Sequence, residues 1–327
     1  MRAPAFWNHP PGALAWGLSP LGALYGWATA RRLAGAEPFK AGVPVICVGN
    51  LSAGGTGKTP TVMALVQMLG ARGRAVHVVS RGHGGRLAGP VGVDPARHAA
   101  ADVGDEPLLL SAFAPVWIGR DRAAAARAAA AAGAEVIVMD DGHQNGGLAK
   151  DLTLIVADAA QGFGNGFCLP AGPLREPVAV GLARADLLLT LGPLPAQDAF
   201  TDRWGPQVTL PRLTGRVEVL PTGMDWDGLP VLAFAGIGQP EKFFATLRGL
   251  GAQIVRAEGF PDHAPYSAAM IQRLQADARR MGAQLVTTEK DAVRLPEGVR
   301  PQVLTLPVRL TFDDPAPLVG ALDRLGL

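Results

Sequence analysis

Gly54-Gly55-Thr56-Gly57-Lys58-Thr59 lies between an apolar run, Val43 to Val48, and the stretch Thr61 to Ala71, which reads as a helix. A glycine loop between a buried strand and a helix is how a chain binds a polyphosphate. Glycines let successive backbone N–H groups turn inward, and the helix N-terminus adds partial positive charge. Lys58 supplies a mobile cation for the β and γ oxygens, and the Thr59 hydroxyl is placed to hold Mg²⁺. The loop begins at Ser52-Ala53, so it departs from G-x-x-x-x-G-K-[ST], which has glycine where Ser52 stands.

Other residue clusters extend this chemistry. Glu135 to Met139 is an apolar strand that ends in Asp140-Asp141-Gly142, where such folds place a carboxylate beside the metal. Asp105-Glu106-Pro107 precedes a short apolar helix and has two readings. The carboxylates cap that helix, or one takes a proton from an acceptor while the other helps to hold metal or water. Arg175 and Glu176 lie in a proline-rich loop, 169–177. Arg175 is either a solvated charge or a planar clamp on transferred phosphate. Arg81 to Arg86 is a basic, glycine-rich loop on the side of a parallel strand where ligands bind. His263 follows Pro261-Asp262 in a loop, and a lone histidine is more often structural than catalytic. Thr287 to Asp291 follows a strand, but Lys290 and Asp291 are adjacent, one residue short of the spacing that reads guanine. Adenine is therefore the expected base.

The elements that must carry these residues alternate. Strands are expected at 43–48, 74–80, 135–139, 152–157 and 185–190, with helices at 61–71 and 122–132, the latter alanine-rich and stopped by Gly133. The pattern loosens from Pro193 to Pro211. A boundary at 221–227 precedes strands at 231–235, 254–258, 284–288 and 303–306 and helices at 241–250 and 268–281. The fold class is α/β: a P-loop NTPase-like, doubly wound sheet at 41–222 with a second, smaller α/β lobe at 223–327. At 327 residues and 48% apolar composition the chain supports two such cores. A net charge of +2 gives no argument for nucleic acid. Two cysteines, Cys47 and Cys168, have no metal-ligand spacing and read as buried hydrophobes.

Residues 1–40 differ from the rest. Phe6, Trp7, Trp16, Leu18, Leu21, Leu24, Tyr25 and Trp27 crowd a segment with four basic side chains against the single acidic Glu37. Ala28-Thr29-Ala30 has the pattern of a leader cleavage site, but a nucleotide site needs ATP on the cytosolic side. Pro11, Pro20 and several glycines make a poor membrane span. An interfacial helix pair, with aromatics at headgroup level and arginines on lipid phosphates, is expected ahead of a plain core helix.

Taken together, Gly49 to Pro60, Ser80 to Gly82, Val103 to Pro107, Asp140 to Gly142, Leu169 to Pro177, Gly236 to Phe243, Pro261 to His263 and Thr287 to Asp291 resemble the tetraacyldisaccharide 4′-kinase family of lipid A biosynthesis. Ser52 agrees, because the family carries its loop in this altered form. The resemblance implies a lipid kinase at the cytoplasmic face of the bacterial inner membrane. It would use ATP and Mg²⁺ to phosphorylate the 4′-hydroxyl of an acylated disaccharide 1-phosphate, with the amino-terminal segment at the membrane. By the same resemblance Ser52 to Thr59 bind nucleotide, Asp105 is the general base with His263 its partner, and Arg175 steadies the transferred phosphate. Thr59, Asp140, Asp141, Glu106 and Glu176 form the metal and water pool. Where the family reads D-D-G-F-Q-H, this chain has His143 and Asn145 flanking Gln144. A membrane-associated ATPase switch and an ATP-dependent ligase are the alternatives, and a monomer is expected.

Overall fold

The computed structural model describes residues 4–327, so the first three residues of the expected interfacial segment lie outside the described residues. Helix α1 (Ala13–Ala34) leads into β1 (Val45–Gly49), α2 (Lys58–Ala71) and β2 (Val76–Ser80). There follow the edge strand β3 (Val91–Gly92), short helices α3 (Ala100–Val103) and α4 (Asp105–Leu110), β4 (Val116–Ile118) and α5 (Arg122–Ala131). Next come β5 (Val136–Asp140), β6 (Leu152–Asp158), α6 (Val178–Leu182), β7 (Leu187–Leu191), α7 (Leu194–Trp204) and β8 (Arg212–Val219). Helix α7 occupies part of the stretch where the sequence pattern loosens. Its proline at 195 sits in the first turn, where a missing N–H costs nothing.

Strands β1, β2, β5, β6 and β7 are buried along their whole length. That is what a parallel sheet covered on both faces requires, and it is why these strands read as mainly apolar runs. The sheet has nine strands in the order β13-β8-β7-β6-β1-β5-β2-β4-β3. Strand β1 pairs in parallel with β5 on one side and β6 on the other. From β1 the chain passes to β2, reaches the β4 and β3 edge, returns to β5 beside β1, and then crosses to β6 on the other side of β1 and runs out through β7 and β8. Ligands bind at the carboxyl ends of strands where the winding changes side. Helix α2 packs on one face through Val62, Leu65, Val66 and Leu69. On the other face the alanines of α5 allow close approach to Cys47, Val79 and Met139.

The smaller sheet has the order β10-β9-β11-β12. It is built from β9 (Pro230–Ala235), α8 (Pro240–Gly249), β10 (Gln253–Gly259), α9 (Ala268–Met281), β11 (Gln284–Thr288), α10 (Glu289–Ala292) and β12 (Leu304–Leu306). The expected lobe at 223–327 does not stay together to its end. Strand β13 (Val308–Phe312) returns to the large sheet, antiparallel to β8, and α11 (Ala316–Arg324) buries Leu318 and Leu322 in the same core as α2. The small lobe is thus an insertion between β8 and β13.

At the amino terminus one continuous helix, α1, with Pro20 inside it, replaces the expected pair. Its buried residues are Ala15, Gly22, Gly26 and Thr29. Only glycine fits at 22, because a Cβ there would lie 2.7 Å from the Cys168 carbonyl oxygen. The small face lies on the loop after β6, while Trp16, Leu21, Leu24 and Trp27 are each more than half exposed. Among the described residues no helix is long and apolar enough to cross a membrane.

Candidate active site

The phosphate loop is cut to shape by its neighbours. Gly57 has φ 93° and is the N-cap of α2, with the Leu191 side chain against the position a Cβ would take. Asn50 Nδ2 donates to Thr56 Oγ1 at 3.1 Å across the loop. The Ala53 N–H donates to the Pro173 carbonyl at 2.7 Å, and the Arg175 N–H to that of Leu51 at 2.7 Å. The loop at 169–177 is therefore strapped to the glycine loop, which brings Arg175 into the site.

Lys58 Nζ lies 3.6 Å from Asp141 Oδ1, and Arg175 Nη1 donates to the same oxygen at 2.9 Å. Burial pushes the Asp141 carboxyl up, but Lys58 and Arg175 outweigh it and hold it below the usual range. Asp141 also has φ 49°, a left-handed conformation that aspartate tolerates better than most residues. Asp140, at the end of β5, accepts from Ser80 Oγ at 3.1 Å through Oδ2, while its buried Oδ1 has no partner. Burial, with the Glu106 and Asp141 charges adding to it, pushes Asp140 up to about 7.

The remaining pool members are engaged elsewhere. Glu176 is buried between Arg184 and Gln144, whose Nε2 donates to Oε1 at 2.9 Å. His143 lies beside them, its pKa pushed down to about 3 by burial and then by Arg184 and Lys150. It is a neutral packing residue with Nε2 3.0 Å from the Gly181 carbonyl. Glu106 pairs with Lys290, Nζ to Oε1 3.0 Å. Among the described residues no three His, Cys, Asp or Glu side chains form a metal cage.

Asp105 opens α4, but the N-cap is Gly104, so the capping reading fails. The buried carboxylate instead faces His263, whose Nδ1 lies 2.9 Å from Oδ2 and 3.0 Å from Oδ1. His263 is in a positive-φ turn, at 58°. Burial raises the Asp105 carboxyl, yet His263, Lys290 and Arg294 together hold it below the ordinary value. The hydrogen bond that His263 donates to Asp105 raises His263, with burial opposing. Arg294 Nε is 3.7 Å from Asp105 Oδ2. The pair lies on the wall of a cavity of about 590 Å³ that His83, Arg97, His98 and Arg300 also line.

Asp291 is fully buried and accepts from the Gly236 N–H at 2.9 Å, from the Tyr266 and Thr288 hydroxyls at 2.6 Å each, and from Arg294. It has no capacity left to read a base. Its work is to fix α10, and α10 presents Lys290 to Glu106. Lys290, Arg294 and Gln144 were not assigned to the site from sequence, because their partners lie far away in the chain.

The model of a family described as Tetraacyldisaccharide-1-P 4′-kinase matches residues 14–326. A protein of Dinoroseobacter shibae named tetraacyldisaccharide 4′-kinase is 63% identical, over 99% of this chain and 98% of its own length. One of the same name from Jannaschia sp. is 56% identical over 99% of each. A crystal structure described as the "apo" form of LpxK from Aquifex aeolicus in complex with ATP superposes with a TM-score of 0.78, at 27% identity, over 95% of this chain and 99% of that one.

Proposed function

We propose a division of labour among these residues from one premise: the chain belongs to the tetraacyldisaccharide-1-P 4′-kinase family, and it is an ATP-dependent lipid A 4′-kinase. The ATPase-switch and ligase alternatives give way to that membership. The backbone of Ser52 to Gly57 and the start of α2 cradle the ATP phosphates, with Lys58 at the β and γ oxygens. Asp105 accepts the proton of the acceptor 4′-hydroxyl as its oxygen attacks the γ-phosphorus. The new P–O bond forms as the bond to the bridging oxygen breaks, and ADP leaves. His263 orients the carboxylate and stabilises the charge that it gains and loses. Arg175, beside Lys58 on Asp141 Oδ1, steadies the transferred group.

The donor set fits Mg²⁺ in modest form. Asp140 presents a buried oxygen with no partner beside Asp141, and Thr59 stands at the head of α2. Mg²⁺ usually takes one or two carboxylates together with substrate phosphates and water. Bound there, it would neutralise charge on the β and γ oxygens. Glu106 and Glu176, paired with Lys290 and Arg184, fall outside the ligand set proposed here.

The exposed apolar side of α1, ending in Arg31 and Arg32, supports a seat at the cytoplasmic face of the inner membrane, where the acyl chains of the substrate remain in lipid. A monomer suffices for this arrangement, since both lobes of one chain supply the dyad. The observation that carries the assignment is the Asp105–His263 contact, made between residues 158 apart in the chain. Transfer of label from γ-labelled ATP to a monophosphorylated tetraacyl disaccharide in mixed micelles tests it. Asp105→Ala should lower kcat by at least about 100-fold with ATP KM little changed. Retention of kcat within about twofold would remove Asp105 from the reaction.

A further inference from the structure

We infer that Lys290 is a positioning residue for phosphoryl transfer, a latch that ties the small lobe to the start of α4 and so keeps His263 on Asp105. This rests on the reading of Asp105 and His263 as the reacting pair. Lys290 Nζ lies 3.0 Å from Glu106 Oε1 and 3.8 Å from Asp262 Oδ1. Each of these partners is the chain neighbour of one member of the pair, Glu106 of Asp105 and Asp262 of His263. The Glu106 N–H also donates to Asp105 Oδ1 at 2.9 Å, so the placement of Glu106 bears directly on the carboxylate. One ammonium group therefore bridges the two turns that must meet.

The latch is built to hold position. The Lys290 side chain is 19% exposed and that of Glu106 26%, so the pair is shielded more than a surface ion pair, which contributes little. Helix α10 is capped by Thr288, which accepts from the Asp291 N–H, and Asp291 is pinned by Gly236, Tyr266 and Arg294. The His263 N–H donates to the Gly236 carbonyl at 3.2 Å, so one anchor sets the origin of both Lys290 and His263. Glu106 and Lys290 are 184 residues apart, one on α4 beside the large sheet and the other on α10 beside the small one, and the dyad that they flank likewise joins the two lobes. A displacement of about 1 Å at reacting groups costs on the order of 100-fold in rate, so a contact that touches no substrate can control kcat.

A double-mutant cycle on the full chain tests this, with kcat and ATP KM measured in the micelle assay and folding checked by thermal melting. Lys290→Met should lower kcat about 10- to 100-fold with ATP KM within about twofold, and Lys290→Arg should recover most of the loss. On a His263→Ala background Lys290→Met should lower kcat by less than about twofold more, because there is no longer a histidine to position. Glu106→Gln, which removes the other end, should reproduce the Lys290→Met loss with an unchanged Mg²⁺ requirement, and it carries the test if Lys290→Met does not fold. Equal losses in both backgrounds, no recovery by arginine, a loss confined to ATP KM, or a raised Mg²⁺ requirement in Glu106→Gln would each overturn the latch. Wild-type kcat in His263→Ala would instead overturn the dyad reading itself, so the two failures are distinguishable.

Discussion

Asp141 Oδ1 is shared by two cations, Lys58 and Arg175. On the proposed reading, a γ-phosphate in the loop would compete with Asp141 for both. Lys58→Ala removes a point charge that strengthens as charge moves to the β and γ oxygens. It should lower kcat by at least about 100-fold, and label transfer under saturating ATP measures it. Asp140→Asn should act differently. It removes the buried oxygen that has no partner, so the Mg²⁺ concentration for half-maximal rate should rise several-fold, read by titrating Mg²⁺ at fixed ATP. The Asp105–His263 pair has its own pH signature. His263 is raised above 6.5, so its contribution to stability is fully present below 6.5 and fades as pH rises through the raised value. Asp105 is lowered below 3.8, so its contribution is present above 3.8 and is lost as pH falls through the lowered value. The gap in melting temperature between wild type and His263→Ala should therefore be widest between about pH 4 and 6.5 and shrink on the alkaline side. A gap that stayed constant from pH 5 to 9 would contradict the ion pair. Local pattern alone leaves Asp105 open to a capping role and His263 as a loop histidine more often structural than catalytic, so their pairing as base and partner rests on the family resemblance. Lys290 and Arg294 were not visible as their partners, since nothing local encodes a contact between residues 184 apart.

The strands of the large sheet were readable because a strand buried on both faces must be mainly apolar, and the five that are buried along their whole length are interrupted only by residues such as His77, Thr153 and Thr190 or end in Ser80, Asp140 and Asp158. The expected helix pair gives way to the single helix α1, although Pro20 inside it removes a donor and crowds the preceding turn. Packing overrides that local cost. Ala15, Gly22, Gly26 and Thr29 form one narrow buried face, with Gly22 and Gly26 set against Cys168, Ala171 and Pro177, and a continuous helix keeps that face in one line. Gly22→Ala tests this balance. Alanine favours an isolated helix by ~1 kcal/mol, whereas the added Cβ would meet a rigid backbone carbonyl at 2.7 Å. The clash should win, and the melting temperature should fall by several degrees, as overpacking by ~1–3 kcal/mol requires. The opposite face has a different task. Leu21 and Leu24 are each more than half exposed, and burying such a side chain yields about 1.5–3 kcal/mol. Leu21→Asp with Leu24→Asp should therefore weaken flotation with anionic vesicles at least tenfold while leaving the melting temperature unchanged.

The whole molecule is organised by how the small lobe is attached. The chain leaves the large sheet at β8 and returns at β13, and those two strands pair antiparallel from Gly215 opposite Phe312 to Val219 opposite Val308. Two adjacent strands that exit together make a narrow stem, so contacts beyond it, among them Lys242–Asp158, Lys290–Glu106, His263–Asp105 and Arg294–Asp105, set the approach of the lobes. The boundary near residue 222 was legible because proline, glycine and aspartate cluster there. The return was not, because recognising β13 means pairing it with a strand about ninety residues earlier, and its run of five residues carries no signal of its partner. The insertion has a consequence for cutting the chain. Residues 222–307 contain all four strands of the small sheet and two apolar clusters of their own, one around Phe243, Phe244 and Leu247 and one around Tyr266, Ile271 and Leu274. That fragment should melt cooperatively alone. A fragment ending at residue 306 keeps every residue of the phosphate site, yet it removes Leu310, Leu318, Leu322 and Leu327 from the core that also holds α2. Losing four buried leucine-sized side chains costs about 2–5 kcal/mol each when taken singly, enough to exhaust the stability of an ordinary domain. Its nucleotide site should be lost with the fold. Calorimetry that showed a cooperative transition and ATP binding for residues 1–306 would mean that α2 holds its place without the returning segment.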